Sequence, residues 1–187
     1  MYAPAAMAIP LSLGITLSML WGKVHMIAVY AGSFNPIHLG HIDIIKRAVK
    51  IFGHVIIIVC DNSAKHYKVS IEERTALVQL ALESEMLDTY VEVINLQENE
   101  SVADFCKAEN VDVLVRGVRS GADMPFELMM AEVNRDNKIE TVFLPCEPAH
   151  SNYSSTMVRE CVKYEMPIAR YVPISLMLEI KEKYKEG

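Results

Sequence analysis

The sequence predicts a doubly wound α/β domain: a five-stranded parallel sheet with helices on both faces, followed by C-terminal helices. Three observations predict it. From Met26 onward, short β-branched runs alternate with segments of helical period. The runs are nearly continuous in apolar residues, as in strands covered on both faces. The links are short and strand–helix alternation is regular, which favours parallel crossovers.

Each element can be justified in order. Residues 26–31 are a short apolar run ending at Gly32, the first strand. Residues 39–52 place Ile42, Ile45, Ala48, Val49 and Phe52 at helical spacing. Residues 54–60 are β-branched, the second strand. Ser70 with Glu73 forms a capping-box pattern that opens a helix to about Glu85. Residues 90–94 read as the third strand, 101–109 as a short helix and 111–115 as the fourth strand. A helix over 123–136 precedes the fifth strand, 139–144. Ser154 can cap a helix to about Tyr164, and a last helix spans 174–185.

Residues 1–22 carry no charged side chain. Such a start invites a signal peptide or a membrane span. A signal peptide has a basic region ahead of its apolar stretch, and none is present. Pro4, Pro10 and Gly14 weaken a spanning helix. Residues 1–25 are therefore expected to be an extension outside the domain, consistent with a start codon assigned too far upstream, and 26–187 to be the domain. No membrane partner is expected.

Composition narrows the function classes. With 187 residues, 51% of them hydrophobic and 22% charged, the chain suits one globular domain rather than a disordered or disulfide-scaffold protein. A net charge of −6 gives no support for a nucleic-acid partner, though a local basic site can still hold phosphates. Cys60, Cys106, Cys146 and Cys161 are widely spaced, with no C-x-x-C. That pattern suits reduced thiols in a cytoplasmic protein.

Parallel sheets bind ligands beyond the C-terminal ends of their strands. The polar residues after each run are therefore the candidates. After the first come Gly32, Ser33, Phe34, Asn35 and Pro36, then His38 and His41 at a helix start. A helix N-terminus favours an anion, and two imidazoles there make a phosphate grip. The alternative is that one histidine caps the helix and the other packs. Lys65 follows the second run, Arg116, Gly117, Val118 and Arg119 the fourth, with Glu127 on the next helix. Two guanidinium groups after one strand suit a polyphosphate; the alternative is an exposed loop. After the fifth run comes the hydroxyl-rich segment His150, Ser151, Asn152, Tyr153, Ser154, Ser155 and Thr156, with Arg159 one turn on. It is either a helix cap or a second phosphate site.

Gly32-Ser-Phe-Asn-Pro36 with His38-Leu-Gly-His41 resembles the [TH]-x-G-H signature of the nucleotidylyltransferases, and Ser154-Ser-Thr-Met-Val-Arg159 their second phosphate motif. Arg116-Gly-Val-Arg119, the helix start from Ser70 to Arg74 and the pair Phe126-Glu127 narrow the resemblance to the phosphopantetheine adenylyltransferase family. It covers the chain from about Met26 to the C-terminus. Asn35 stands where that family usually has Asp, His38 replaces a Thr, and Phe126 stands where Tyr is common.

The resemblance implies a Rossmann-like fold and an enzyme that joins ATP to 4′-phosphopantetheine, giving dephospho-coenzyme A and pyrophosphate. It implies His41 as the catalytic group at the α-phosphate. Ser33 would touch both substrates. Lys65 and Arg116 would hold the acceptor phosphate, and Val102 would contact pantetheine through its backbone. Phe34, Gly117, Val118, Arg119, Glu127 and residues 150–156 would bind ATP. It also implies Mg²⁺ carried mainly by the ATP phosphates, no protein metal ligands, and a homohexamer. Two alternatives stand beside it: a sister enzyme acting on nicotinamide mononucleotide or another small phosphate, and a non-catalytic nucleotide sensor.

Overall fold

The computed structural model describes residues 26–61, 66–96 and 100–185. Strands β1 (Ala28–Gly32), β2 (Val55–Val59), β3 (Val91–Asn95), β4 (Val113–Val118) and β5 (Glu140–Pro145) alternate with helices α1 (Leu39–Phe52), α2 (Ile71–Ser84), α3 (Val102–Ala108) and α4 (Met124–Asp136). Helices α5 (Ser155–Lys163) and α6 (Met177–Tyr184) follow, with short 3-10 turns at Pro148–His150 and Ile174–Leu176.

The strand pairings are parallel and the order is β3-β2-β1-β4-β5. Handedness explains where the helices lie. Right-handed crossovers through α1 and α2 step the chain to one side of β1. The crossover through α3 carries it back past β1 to the other edge. That reversal sends α3 and α4 to the opposite face and leaves a crevice beyond the ends of β1 and β4.

Alternate strand residues feed two apolar clusters. Tyr30, Ile57 and Val115 pack with Ile45 of α1, Leu77 of α2, Val158 of α5 and Ile180 of α6. Val29, Ile58 and Leu114 pack with Cys106 of α3 and with Ile139. Burial on both faces is why the central strands β1 and β2 read as unbroken apolar runs, whereas the edge strands β3 and β5 are only partly buried.

The α2 start is as expected: Ser70 Oγ accepts from Glu73 N at 3.2 Å, and Glu73 accepts from Ser70 N at 3.1 Å. Ser154 likewise caps α5, accepting from Met157 N at 3.1 Å. β4 differs from the expectation. It runs on through Arg116, Gly117 and Val118, which pair with Phe143, Leu144 and Pro145 of β5. An Arg-Gly pair looks like a loop locally, and only the distant partner strand makes it a strand. Among the described residues no helix is long and apolar enough to cross a membrane. The expected extension, residues 1–25, lies outside the described residues.

Candidate active site

The site is built on the loop from β1 to α1. A Cβ added at Gly32 would sit 3.2 Å from the Phe34 ring, so glycine lets that ring fold back beneath the strand end. Phe34 has φ 42°, a left-handed backbone that aromatic residues seldom adopt. Its ring is 1% exposed and lies edge-on to Tyr30 and His41.

α1 then opens on two histidines that cap each other. His38 Nδ1 accepts from Gly40 N at 3.1 Å, and His41 Nδ1 accepts from His38 N at 3.2 Å. The rings stack with centroids 3.7 Å apart. This is a capping box written in imidazoles. A neutral imidazole that accepts at Nδ1 carries its proton on Nε2. Burial, with Arg119 and His150 nearby, pushes the His38 pKa down to about 3. Burial, helped by His38 and Arg119, holds His41 well below its ordinary value. The pair therefore meets an anion as neutral N–H donors, not as two cations. Of the alternatives open in the sequence, His38 caps the helix and His41 both caps and faces the cleft.

This arrangement couples stability to pH. A histidine held neutral in the folded chain takes up its proton only after unfolding, so its stabilisation is present above about pH 6.5 and lost as pH falls towards the folded value. For His38 alone the loss between pH 6.5 and 5 is about 2 kcal/mol. Asn can accept the same N-terminal hydrogen bond. His38→Asn should therefore lose about 2 kcal/mol less than the unmutated protein over that range, read by urea unfolding at each pH. Parallel losses would mean that His38 is not buried in its neutral form.

Three carbonyls of the loop are tied by side chains from elsewhere. Arg74 Nη1 donates to Ser33 O at 2.6 Å, Arg159 Nη1 to Asn35 O at 2.6 Å, and Ser155 Oγ to Pro36 O at 2.8 Å. Arg159 also donates to Thr156 Oγ1 at 3.2 Å. On the other side of the crevice, Arg116 makes a two-pronged pair with Glu127: Nε to Oε2 at 2.6 Å and Nη2 to Oε1 at 3.0 Å. Glu127 is thus neither a solvated helix residue nor a cleft wall; it fixes the direction of Arg116.

The cleft has a volume of about 740 Å³, within the range of small-molecule sites. It gathers Ser33, His41, Arg116, Gly117, Arg119, His150, Tyr153, Ser154, Ser155 and Thr156. Lys68, Arg159 and Lys163 add positive charge to the wall, against one carboxylate among the described residues, Glu160. An acidic protein therefore carries a basic crevice. Other expected residues stand elsewhere. Phe34 is buried beneath the loop and Val118 in the strand end, so neither side chain faces the cleft. Ser151 and Asn152 are not in its wall, and Val102 packs towards the α3 cluster. Lys65 lies outside the described residues.

The structure adds two cleft residues that sequence reasoning missed, Tyr30 and Tyr184, and it gives Asn35 and Arg74, which the sequence offered only as a loop and a helix-start residue, their partners. Tyr30 and Tyr184 reach the cleft from the sheet and from the last helix. The buried atoms Asn35 Oδ1 and His150 Nδ1 have no hydrogen-bond partner among the described residues. Tyr30 had a signal, since it stands two residues from the strand end, but alternation alone does not say which face is the wet one.

A family model for cytidylyltransferase-like proteins matches residues 29–161. The chain is 38% identical over 160 residues to a phosphopantetheine adenylyltransferase of Actinobacillus pleuropneumoniae serotype 3, covering 83% of this chain and 96% of that one. It is 37% identical over 165 residues to a phosphopantetheine adenylyltransferase of Thermotoga neapolitana, covering 87% and 99%. In three dimensions it is similar to a Vibrio parahaemolyticus protein solved as a candidate nicotinate-nucleotide adenylyltransferase, with TM-score 0.65 and 20% identity over 87% of this chain and 96% of that one. It is also similar to a nicotinic acid mononucleotide adenylyltransferase of Plasmodium falciparum, with TM-score 0.63 and 15% identity over 84% and 95%. At those identities the solved structures bear on the fold alone.

Proposed function

The chain belongs to the phosphopantetheine adenylyltransferase family, among the cytidylyltransferase-like proteins, and from that premise we propose how its own residues divide the work. The enzyme is a nucleotidyltransferase of coenzyme A biosynthesis that joins the adenylyl group of ATP to 4′-phosphopantetheine, releasing pyrophosphate. The observation that carries the assignment of roles is the basic cleft at the β1–β4 switch point, with His41 at the helix start beside the phosphate loop.

The nucleophile is a phosphate oxygen, already ionised at neutral pH, so the step needs alignment and charge stabilisation rather than a base. His41 Nε2–H would donate to the α-phosphate. Its tautomer is set in advance by the bond that Nδ1 accepts from His38 N. Arg116, aimed by Glu127, would hold the acceptor phosphate with Lys65. Ser33 would stand between the two substrates. Arg119 and the α5 start, Ser154 to Thr156, would take the β- and γ-phosphates. His150, which lines the same cleft, would contact the nucleotide.

Mg²⁺ would supply charge neutralisation on the triphosphate. Among the described residues no group of three His, Cys, Asp or Glu side chains is placed to hold a metal ion. The cleft's hydroxyls, imidazoles and guanidinium groups, with Glu160 as its carboxylate among the described residues, would leave the ion to phosphate oxygens and water. Phe126, Met129 and Val133 form an exposed apolar stripe on α4, which suits burial in a homohexamer; sedimentation of the purified protein tests this. We also propose a cytoplasmic location, which suits an ATP-using biosynthetic step.

The deciding experiment is pyrophosphate release with a panel of acceptors. 4′-Phosphopantetheine should be used, and dephosphorylated pantetheine should not, since it lacks the ionised nucleophile. Turnover of nicotinamide mononucleotide alone would move the chain to the sister activity, and no turnover with any acceptor would favour a sensor.

We also place the working domain at residues 26–187. Ile27 N already donates to Asp112 Oδ2 at 2.8 Å, so β1 is anchored from its first residues. A chain beginning at Met26 should keep the kcat of the full chain. Loss of folded protein or of turnover on removing residues 1–25 would show that they belong to the enzyme.

A further inference from the structure

Arg74 is fully buried and has no role in the assignments above. It leaves the first turns of α2 and gathers three segments of chain. Nη1 donates to Ser33 O after β1 at 2.6 Å, and Nη2 pairs with Asp61 after β2. Nε is shared between the carbonyls of Val69 and Ser70, at 3.2 Å each. The Tyr67 ring covers one face of the guanidinium, with its centroid 4.4 Å away.

α2 does not require any of this. Its backbone bond from Arg74 N to Ser70 O is made at 3.0 Å, and its apolar face is already supplied by Leu77, Val78, Ala81 and Leu82. A cation taken wholly out of water is costly, and an apolar side chain of similar size would pack α2 at least as well. The planar fork is what an apolar residue, or a lysine, does not offer. Its chemically informative contact is Ser33 O, because Ser33 lines the cleft.

A phosphate loop works by presenting N–H groups and hydroxyls; a carbonyl oxygen rotated towards the phosphate repels it. Bonding of Ser33 O to Arg74, Asn35 O to Arg159 and Pro36 O to Ser155 keeps those oxygens engaged with donors. Arg74 controls the first of the three, next to the strand end.

We propose that Arg74 is a positioning residue for adenylyl transfer: through the Ser33 carbonyl it fixes the β1–α1 loop against the reacting phosphate without touching substrate. The proposal rests on the adenylyl-transfer reading above.

Arg74→Lys keeps the charge, but one ammonium cannot reach Ser33 O and Asp61 while also serving Val69 and Ser70. Its kcat should fall about tenfold to a hundredfold, the scale of a misplaced reacting group. Its Kd for ATP should stay within about threefold. Amide exchange in residues 32–37 should quicken, while β2 and β4 keep their protection. In Arg74→Ala, guanidinium chloride should restore part of the turnover and ammonium chloride at equal ionic strength should not. A folded Arg74→Lys protein with unchanged kcat overturns the proposal. So does exchange that rises across the whole sheet, or a failure of both variants to fold, since each makes Arg74 a support of the fold alone. The unmutated enzyme is assayed beside them with 4′-phosphopantetheine and with nicotinamide mononucleotide. If only the latter is used, the substrate reading fails, while the Arg74 ratio is still read on the accepted substrate. The exchange measurement needs no turnover at all.

Discussion

His41→Ala is expected to bind ATP nearly as well as the unmutated enzyme and to turn over about 10²–10³ more slowly, the scale for losing one oxyanion-type donor. The separation arises because the charge that His41 meets grows at the α-phosphate as the bond is made. Ground-state ATP is held mostly by cations elsewhere in the cleft. The variant also loses half of the reciprocal cap on α1, since His38 N donates to His41 Nδ1. That cap is worth about 1 kcal/mol of stability. His41→Gln separates the two effects. Its carbonyl can take the capping bond, so stability should return, and its amide N–H is only a partial replacement for Nε2–H, so turnover should stay between the two. Equilibrium ATP binding, single-turnover rate and urea unfolding on the three proteins check this. A near-normal kcat in His41→Ala would remove His41 from the chemistry.

Arg116→Ala is expected to damage use of the acceptor. Losing a charged partner to a phosphate costs about 1.5–3 kcal/mol, which is about tenfold to a few hundredfold. The KM for 4′-phosphopantetheine should rise by that factor while the Kd for ATP changes little. Lys65→Ala should behave in the same direction, and Arg119→Ala should show the opposite bias. One complication is visible in the structure. Glu127 would be left without its partner in a half-buried place, and an unpaired carboxylate destabilises the fold by itself. Arg116→Ala combined with Glu127→Gln removes that charge. If the KM effect persists in the double variant, it belongs to the phosphate contact. If all three variants lose both substrates equally, these residues support the fold and the acceptor assignment fails.

The parts of the fold that were legible in the sequence are those fixed by local chemistry. The α2 and α5 caps stand where Ser70 and Ser154 put them, because capping needs only the next three residues. The central strands β1 and β2 were legible because burial on both faces leaves an unbroken apolar run, and the edge strands β3 and β5 because their β-branched and aromatic residues stand between turn signals. The end of β4 was not, because Gly117 is a strand residue only by its pairing with Leu144. In the site, the histidine pair and the hydroxyl segment announced themselves by spacing. Their protonation did not, because burial rather than spacing keeps both imidazoles neutral. The burial of Arg74 was not legible for the same reason. The sequence offers Arg74 only as part of a family-like helix start, and only the meeting of Ser33, Asp61 and Tyr67 around it shows that it is buried and what it holds. Tyr184 comes from the far end of the chain, and no local pattern ties it to a loop at Ser33.

β1 is the first of the five strands to be made, yet it lies at the centre of the sheet, so it is completed late. One edge pairs with β2 soon afterwards. The other waits for Val113, Leu114 and Val115, and the loop it carries waits longer still, for Arg159 to emerge and bind Asn35 O. Pairings between such distant segments form slowly, and an apolar strand edge left bare meanwhile is a template for association. A chain whose synthesis stops before β4 therefore exposes the inner edge of its own sheet and has no nucleotide site with which to stabilise itself. Such fragments are expected to be bound by chaperones or degraded rather than to act as partly active enzymes.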